Sequence, residues 1–277
     1  MYSLDYKLQS HRFSIQTGNK KLADLCSPLY PSSRIRHNGR ADITYSLKMR
    51  TDSVAGTIYE IFVDGKKKYK TNSRSELFSH LEWIVTGNTL SHLQEFFQIH
   101  AGAVVKGRKV ILLPAGHGSG KTTLTLSLTR NHYRCLSDDI VLIDPKSLMV
   151  IPFPRSFLIK EGAIKKLIRS NLTDKRNGYY CRSDGILYYN PNTGNKLSTR
   201  KIKPHAIIEL KHNRRFKNDL RPVSKSQMCI KLLRQSFNVH DYKRKAVTIL
   251  TGLVRETKCY SLKTNNVDDA VRLISQI

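Results

Sequence analysis

The apolar run Val110-Ile111-Leu112-Leu113-Pro114 leads directly into Ala115-Gly116-His117-Gly118-Ser119-Gly120-Lys121-Thr122-Thr123. No other stretch constrains the fold as much. The pattern is that of a phosphate-binding turn, G-x-x-x-x-G-K-[ST], with Ala115 in place of the first glycine. Gly116, Gly118 and Gly120 let the backbone bend so that successive N–H groups point into an anion. Lys121 supplies a point charge near the β- and γ-phosphates, and Thr122 offers a hydroxyl to Mg²⁺. A helix behind the turn would present its positive end to the same phosphates. Residues 115–123 are therefore the candidate ATP site. Leu124, Leu126 and Leu128 alternate with Thr and Ser, which on periodicity alone is a strand. A helix is expected instead, because the turn's N–H groups would otherwise have no helix behind them. Lys121 is expected to face solvent before nucleotide binds.

Composition sets the class. The chain has 277 residues, 39% hydrophobic and 25% charged, enough for one large domain or two modest ones. No apolar run approaches the roughly 18–20 residues of a membrane span. The N-terminus lacks the basic and apolar regions of a signal peptide, so a cytoplasmic protein is expected. The five cysteines are scattered and never spaced as CxxC, which argues against a disulfide scaffold or a zinc ribbon. The net charge of +27 favours negative partners such as nucleic acid, nucleotides or an acidic peptide.

Residues 1–72 read as a small β-rich lobe. Ala41 to Met49 alternates with period two, and Thr57 to Val63 runs into the hairpin turn Asp64-Gly65. A helix is expected from the capping box Ser73-Arg74-Ser75-Glu76 to Gly87-Asn88. Strands are expected over 96–105, 109–113, 135–144 and 148–153, with a short helix over 161–169. Residues 170–200 read as a long loop. A strand over 206–210 follows, then a helix capped by Ser224 and Gln227 with Met228, Leu232, Leu233 and Phe237 on one face. The last helix starts at Asn266. Alternating strands and helices over 73–277 make this region an α/β domain.

Two further constellations flank the turn. Ser137-Asp138-Asp139 precedes the apolar run Ile140 to Ile143, which would bring adjacent carboxylates near the phosphates, one for Mg²⁺ and one for a hydroxyl proton. His100 lies in Gln98-Ile99-His100-Ala101-Gly102, on the strand before the turn's own strand.

His-x-Gly at 100–102, the turn at 115–123 and Asp-Asp at 138–139 resemble the C-terminal catalytic domain of HPr kinase/phosphorylase. The likeness is closer still to the HPr-kinase-related proteins of peptide-modification gene clusters, including those making lasso peptides. Ile151 to Arg155, Ser236-Phe237-Asn238 and Cys259 to Leu262 resemble segments of the same group. The resemblance spans about 73–277, and it implies a P-loop-containing, PEP-carboxykinase-like core preceded by the β-rich lobe. It also implies roles. Lys121 would hold the transferring phosphate, and Thr122 would coordinate Mg²⁺. Of Asp138 and Asp139, one would take the proton of the attacking hydroxyl and the other would support the metal; Asp139 is favoured as acceptor. His100 would orient the γ-phosphate or the acidic pair. The family's Glu-Ile-Arg-Gly-Leu-Gly pattern is absent, so phosphorolysis and HPr itself lack their signature here.

The activity implied is an ATP- and Mg²⁺-dependent kinase acting on a hydroxyl, Ser foremost, of a peptide or small protein, most specifically a lasso-type precursor. The alternatives are an HPr or small-metabolite kinase of the same fold, or a nucleotide-dependent nucleic-acid-binding protein. Nine Lys or Arg over 196–221 are expected to steer an acidic peptide. No sequence feature fixes an oligomeric state.

Overall fold

Strict alternation in Ile43-Thr44-Tyr45-Ser46-Leu47 buries every second side chain, as one face of a half-buried strand requires. In the computed structural model, which describes residues 1–30, 33–36, 40–53, 56–116, 118–159, 179–183, 186–190 and 201–277, this stretch opens strand β4. The contacts divide the chain into two units, one holding Met1–Leu93 and the other Gln94–Pro154 with Gly194–Ile277. The sequence patterns, with the capping signal at Ser73, put the start of the α/β region at 73.

The first unit carries β1 (Tyr2–Leu8), β2 (His11–Thr17), α1 (Lys20–Cys26), β3 (Arg34–Ile35), β4 (Ile43–Asp52), β5 (Gly56–Val63), β6 (Lys66–Thr71) and α2 (Arg74–His92). Its sheet runs β3-β1-β2-β4-β5-β6. The β5–β6 hairpin turns on Asp64 and Gly65, both at positive φ (47° and 78°), as the primed turn of such a hairpin demands. Helix α2 starts where the capping signal places it, with Ser73 Oγ accepting from the Glu76 N–H at 3.3 Å. The return half of the box does not form. Glu76 instead accepts from Thr71 Oγ1 at 2.6 Å, and the Ser73 N–H donates to Thr71 Oγ1. The helix also runs on to His92, past the stop expected at Gly87-Asn88. Buried Val85 and Thr89 and a bond from Asn88 Nδ2 to the Tyr45 hydroxyl hold that last turn against the unit's core.

The second unit carries β7 (Phe97–Lys106), β8 (Lys109–Pro114), α3 (Lys121–Arg130), β9 (Arg134–Ser137), β10 (Ile140–Ile143) and β11 (Val150–Ile151). After the residues of the first unit that interrupt it come β15 (Pro204–His212), β16 (Asp219–Pro222), α4 (Lys225–Arg234), α5 (Val239–Tyr242), α6 (Arg244–Glu256), β17 (Lys258–Thr264) and α7 (Val267–Ile274). Its mixed sheet runs β11-β10-β7-β8-β15-β17-β16, with β9 also on β7. β8, β15 and β17 are mutually parallel neighbours, and the β7–β8 hairpin is antiparallel. Both faces are covered. Met228, Leu232, Ile249, Leu250 and Leu253 of α4 and α6 close one face, and Leu124, Leu128, Val271 and Ile274 of α3 and α7 close the other. Burial on both faces explains why β8 and the later half of β7, Ala101 to Val105, read as continuous apolar runs. The α/β expectation holds as a mixed α/β architecture.

The single strand expected over 135–144 is two, β9 and β10, broken at Asp138-Asp139. Phe237 also departs from expectation: it lies beyond the end of α4 and is 49% exposed. The segment read as a loop over 170–200 contains β13 (Tyr179–Ser183) and β14 (Ile186–Asn190), which pair with β12 (Phe157–Ile159) in the order β12-β14-β13. Aromatic and β-branched residues in Tyr179-Tyr180 and Ile186-Leu187-Tyr188-Tyr189 carry the strand propensity that the surrounding Asn and Gly mask. The helix expected over 161–169, His117, Lys196 and Arg200 lie outside the described residues.

Candidate active site

Three neighbouring pieces of the second unit build the site: strand β7, the glycine-rich turn from β8 into α3, and the β9–β10 turn. Gly118 and Gly120 take φ of 76° and 85°, a region in which a side chain is strained; Gly116 keeps an ordinary φ. Gly120 is the N-cap of α3, and no side chain caps that helix or places an acid in its first turn. Its first N–H groups are thus left for an anion. Ala115, in place of the usual glycine, is buried in the core beneath the turn. Leu124, Leu126 and Leu128 are helical and all buried, so the strand-like alternation reflects a helix covered on several sides.

The β9–β10 turn is held by Ser137, whose hydroxyl donates to the Ile140 carbonyl and accepts from the Ile140 N–H at 3.1 Å. The Ala101 N–H donates to the Asp139 carbonyl at 3.1 Å, tying the same turn to β7. Both carboxylates are thereby presented beside α3. Lys121 Nζ lies 2.7 Å from Asp139 Oδ1 and 3.0 Å from His100 Nε2. An ammonium can only donate, so the imidazole accepts through an unprotonated Nε2. Lys121 is 6% exposed, and Asp139 36%. The lysine expected to face solvent is instead buried and positioned in advance. Beside it, Thr122 Oγ1 donates to Asp138 Oδ2 at 3.3 Å, and Asp138 is buried. Burial, and then the negative charge of Asp138, push the nearby Cys135 thiol up and keep it protonated. Thr123 occupies the first turn of α3.

Gly102 explains why His-x-Gly is needed. A Cβ there would sit 2.9 Å from Thr125 Oγ1 and 3.2 Å from the Asp138 carbonyl. Thr125 cannot readily turn aside, since its hydroxyl donates to the Lys121 carbonyl at 2.9 Å. Gly102→Ala should therefore push α3 and the acidic turn apart. The expected loss is about 1–3 kcal/mol of stability, read by thermal unfolding; an unchanged melting temperature would show that the contact is slack.

The residues after α4 matter more than their sequence suggests. The His100 N–H donates to the Gln235 carbonyl at 2.6 Å, and the Phe237 N–H to the Gln98 carbonyl at 2.9 Å. Asn238 brackets the same strand, accepting from the Gln98 N–H and donating to the Phe96 carbonyl. These bonds bring the Phe237 ring edge-to-face with His100, centroids 5.7 Å apart. The sequence signals for this segment are the place of Ser236-Phe237-Asn238 at a helix end and its family resemblance.

The basic stretch is less available than its composition implies. Lys203 pairs with Glu256, Lys211 with Glu209 and Arg221 with Asp219, and Lys201 with Asp144. Arg214, Arg215 and Lys217 make no ion pair among the described residues. They follow β15 at its C-terminal end, the same end of the parallel strands at which β8 enters the glycine-rich turn.

No protein-family model matches the chain, and no curated protein matches it. Among solved structures, the HPr(Ser) kinase/phosphatase from Coxiella burnetii is similar at 10% sequence identity and a TM-score of 0.31, over 65% of this chain and 95% of that one. No helix among the described residues is long and apolar enough to cross a membrane.

Proposed function

We propose that the second unit is an ATP- and Mg²⁺-dependent kinase that phosphorylates a hydroxyl, Ser foremost, of a peptide or small protein in the cytoplasm. A lasso-type precursor peptide is the favoured acceptor, on the strength of the sequence resemblance. One observation carries the reading: Lys121, His100 and Asp139 meet within 3.0 Å at the uncapped start of α3. Phosphoryl transfer asks a protein chiefly for positioning and charge neutralisation, and this cluster is equipped for both.

The residues fit a nucleotide. The Ser119 hydroxyl is buried without a partner among the described residues, at the turn where phosphate oxygens would lie. Lys121 uses two of its three N–H donors on His100 and Asp139, leaving the third for a phosphate. Thr122 Oγ1 and Asp138 Oδ2 form a hydroxyl–carboxylate pair of the kind that holds Mg²⁺ with few protein ligands. Bound Mg²⁺ would neutralise charge on the β- and γ-phosphates. Asp139 then takes the proton of the acceptor hydroxyl as its oxygen bonds to the γ-phosphorus and the bond to the bridging oxygen breaks, releasing ADP. His100 holds Lys121 in register throughout and is a positioning residue.

Arg214, Arg215 and Lys217 are placed to draw an acidic substrate towards this end of the sheet. With a Debye length of about 8 Å at physiological salt, clustered charges act and scattered ones do not. Apparent affinity for an acidic peptide should fall steeply with salt while affinity for ATP falls less. Reversing Arg214 and Arg215 to Glu should raise the peptide KM about tenfold with kcat little changed, the mark of lost uniform binding. Unaltered peptide kinetics together with weaker retention on DNA would point to nucleic acid as the partner of this surface.

A further inference from the structure

The three parallel strands begin at the end of the sheet opposite the glycine-rich turn, and there the chain gathers five cations from four separate segments. Arg108 precedes β8, Lys203 precedes β15 and Lys258 opens β17, while Lys225 opens α4 and Arg255 lies in the last turn of α6. All five line one cleft of about 590 Å³, with Glu256 the single acid among the described residues that line it. Glu256 is engaged by Lys203 at 2.7 Å, and Lys225 Nζ donates to the Thr257 carbonyl. Arg108, Arg255 and Lys258 make no ion pair among the described residues. His205 is also in the wall.

This lining selects a ligand class. The wall sets five cations against one acid among the described residues, and that excess of positive charge calls for a multiply charged anion. Guanidinium and ammonium groups together suit phosphate oxygens. The volume lies within the roughly 300–1,000 Å³ of small-ligand sites and exceeds the needs of a single orthophosphate. An extended nucleic acid would be met by a stripe of cations following its backbone, whereas these gather around one shallow, open cleft. We propose that this cleft is a binding site for a small oligophosphate anion of two or three linked phosphates. The inference is independent of the kinase reading, since the cleft and the glycine-rich turn lie at opposite ends of β8.

Inorganic tripolyphosphate is the probe, titrated by calorimetry at physiological salt into the full chain and into two variants. Wild type should show saturable binding. Arg255→Glu with Lys258→Glu, both exposed positions, should weaken that binding at least tenfold, with an unchanged melting temperature showing the fold intact. Lys121→Ala, which disables the glycine-rich turn, should keep it. Should the double reversal unfold the protein, Arg255→Ala and Lys258→Ala read singly serve the same comparison. Absence of saturable binding to wild type overturns the proposal, as does binding that is lost in Lys121→Ala and kept in the double reversal. Reversal-sensitive retention of short duplex DNA without tripolyphosphate binding would also overturn it, assigning the cleft to nucleic acid.

Discussion

Lys121→Ala should lower phosphoryl transfer by about a thousandfold or more, the scale on which a preorganised charge at a transferring phosphate acts. The side chain does more than wait for nucleotide. Its ammonium lies between Asp139 Oδ1 and His100 Nε2, so truncation also removes the charge that balances the carboxylate. Because Asp139 is about one-third exposed, water screens much of that loss, and the stability cost should stay near about 1 kcal/mol. Lys121→Met separates the effects by keeping the apolar stem and discarding the charge. It should lose transfer as fully as the alanine variant while restoring part of the packing. Thermal unfolding and a peptide phosphorylation assay read the two quantities independently. Transfer near the wild-type level in both variants would remove the kinase reading.

Asp139→Asn should cut turnover by about a hundredfold to ten-thousandfold and leave ATP affinity within about threefold. The amide oxygen can still accept from Lys121, so the lysine keeps its place, but it cannot take the acceptor proton. Asp138→Asn should behave differently. Its carboxylate meets the Thr122 hydroxyl, so the expected loss is in Mg²⁺-dependent nucleotide affinity, seen as a raised KM for Mg-ATP. If Asp138→Asn abolishes turnover while Asp139→Asn remains active, the two roles are reversed. Loss of Mg²⁺-dependent binding in both would make them metal ligands only.

The parts of this site that were legible from sequence are those fixed by local chemistry. Glycines at positive φ, a Lys-Thr pair at a helix start and an apolar strand before them are short-range features, and β8, the turn and α3 lie where they point. The capping signals at Ser73, Ser224 and Asn266 each mark a real helix start. Long-range placement was less legible. That Lys121 is buried follows from His100 arriving on β7 and Asp139 on the β9–β10 turn, and no spacing within 115–123 encodes their approach. The spacing of Phe237 from Leu233 is helical and predicts a place on the helix face; its N–H bond to the Gln98 carbonyl instead draws it onto β7. Helix α6 carries a legible signal that the expected elements leave out: Ala246, Ile249, Leu250, Leu253 and Val254 repeat at helical spacing, and all are buried. The β13–β14 pair is masked for another reason, since the Asn, Gly and Ser around it outweigh two short aromatic runs. Charge was the least informative quantity. It gives +27 for the chain but cannot say which lysines are held by Asp144, Glu209 and Glu256.

The most direct measurement is mass spectrometry of Ser-containing acidic peptides, including lasso-type precursors, after incubation with the full chain, ATP and Mg²⁺. The account predicts a gain of phosphate on a hydroxyl-bearing residue, with ADP formed in equal amount, and neither product when Mg²⁺ is chelated or Lys121 is replaced. ATP turnover that proceeds without any phosphorylated acceptor, or that is unaffected by Lys121→Ala, would contradict it.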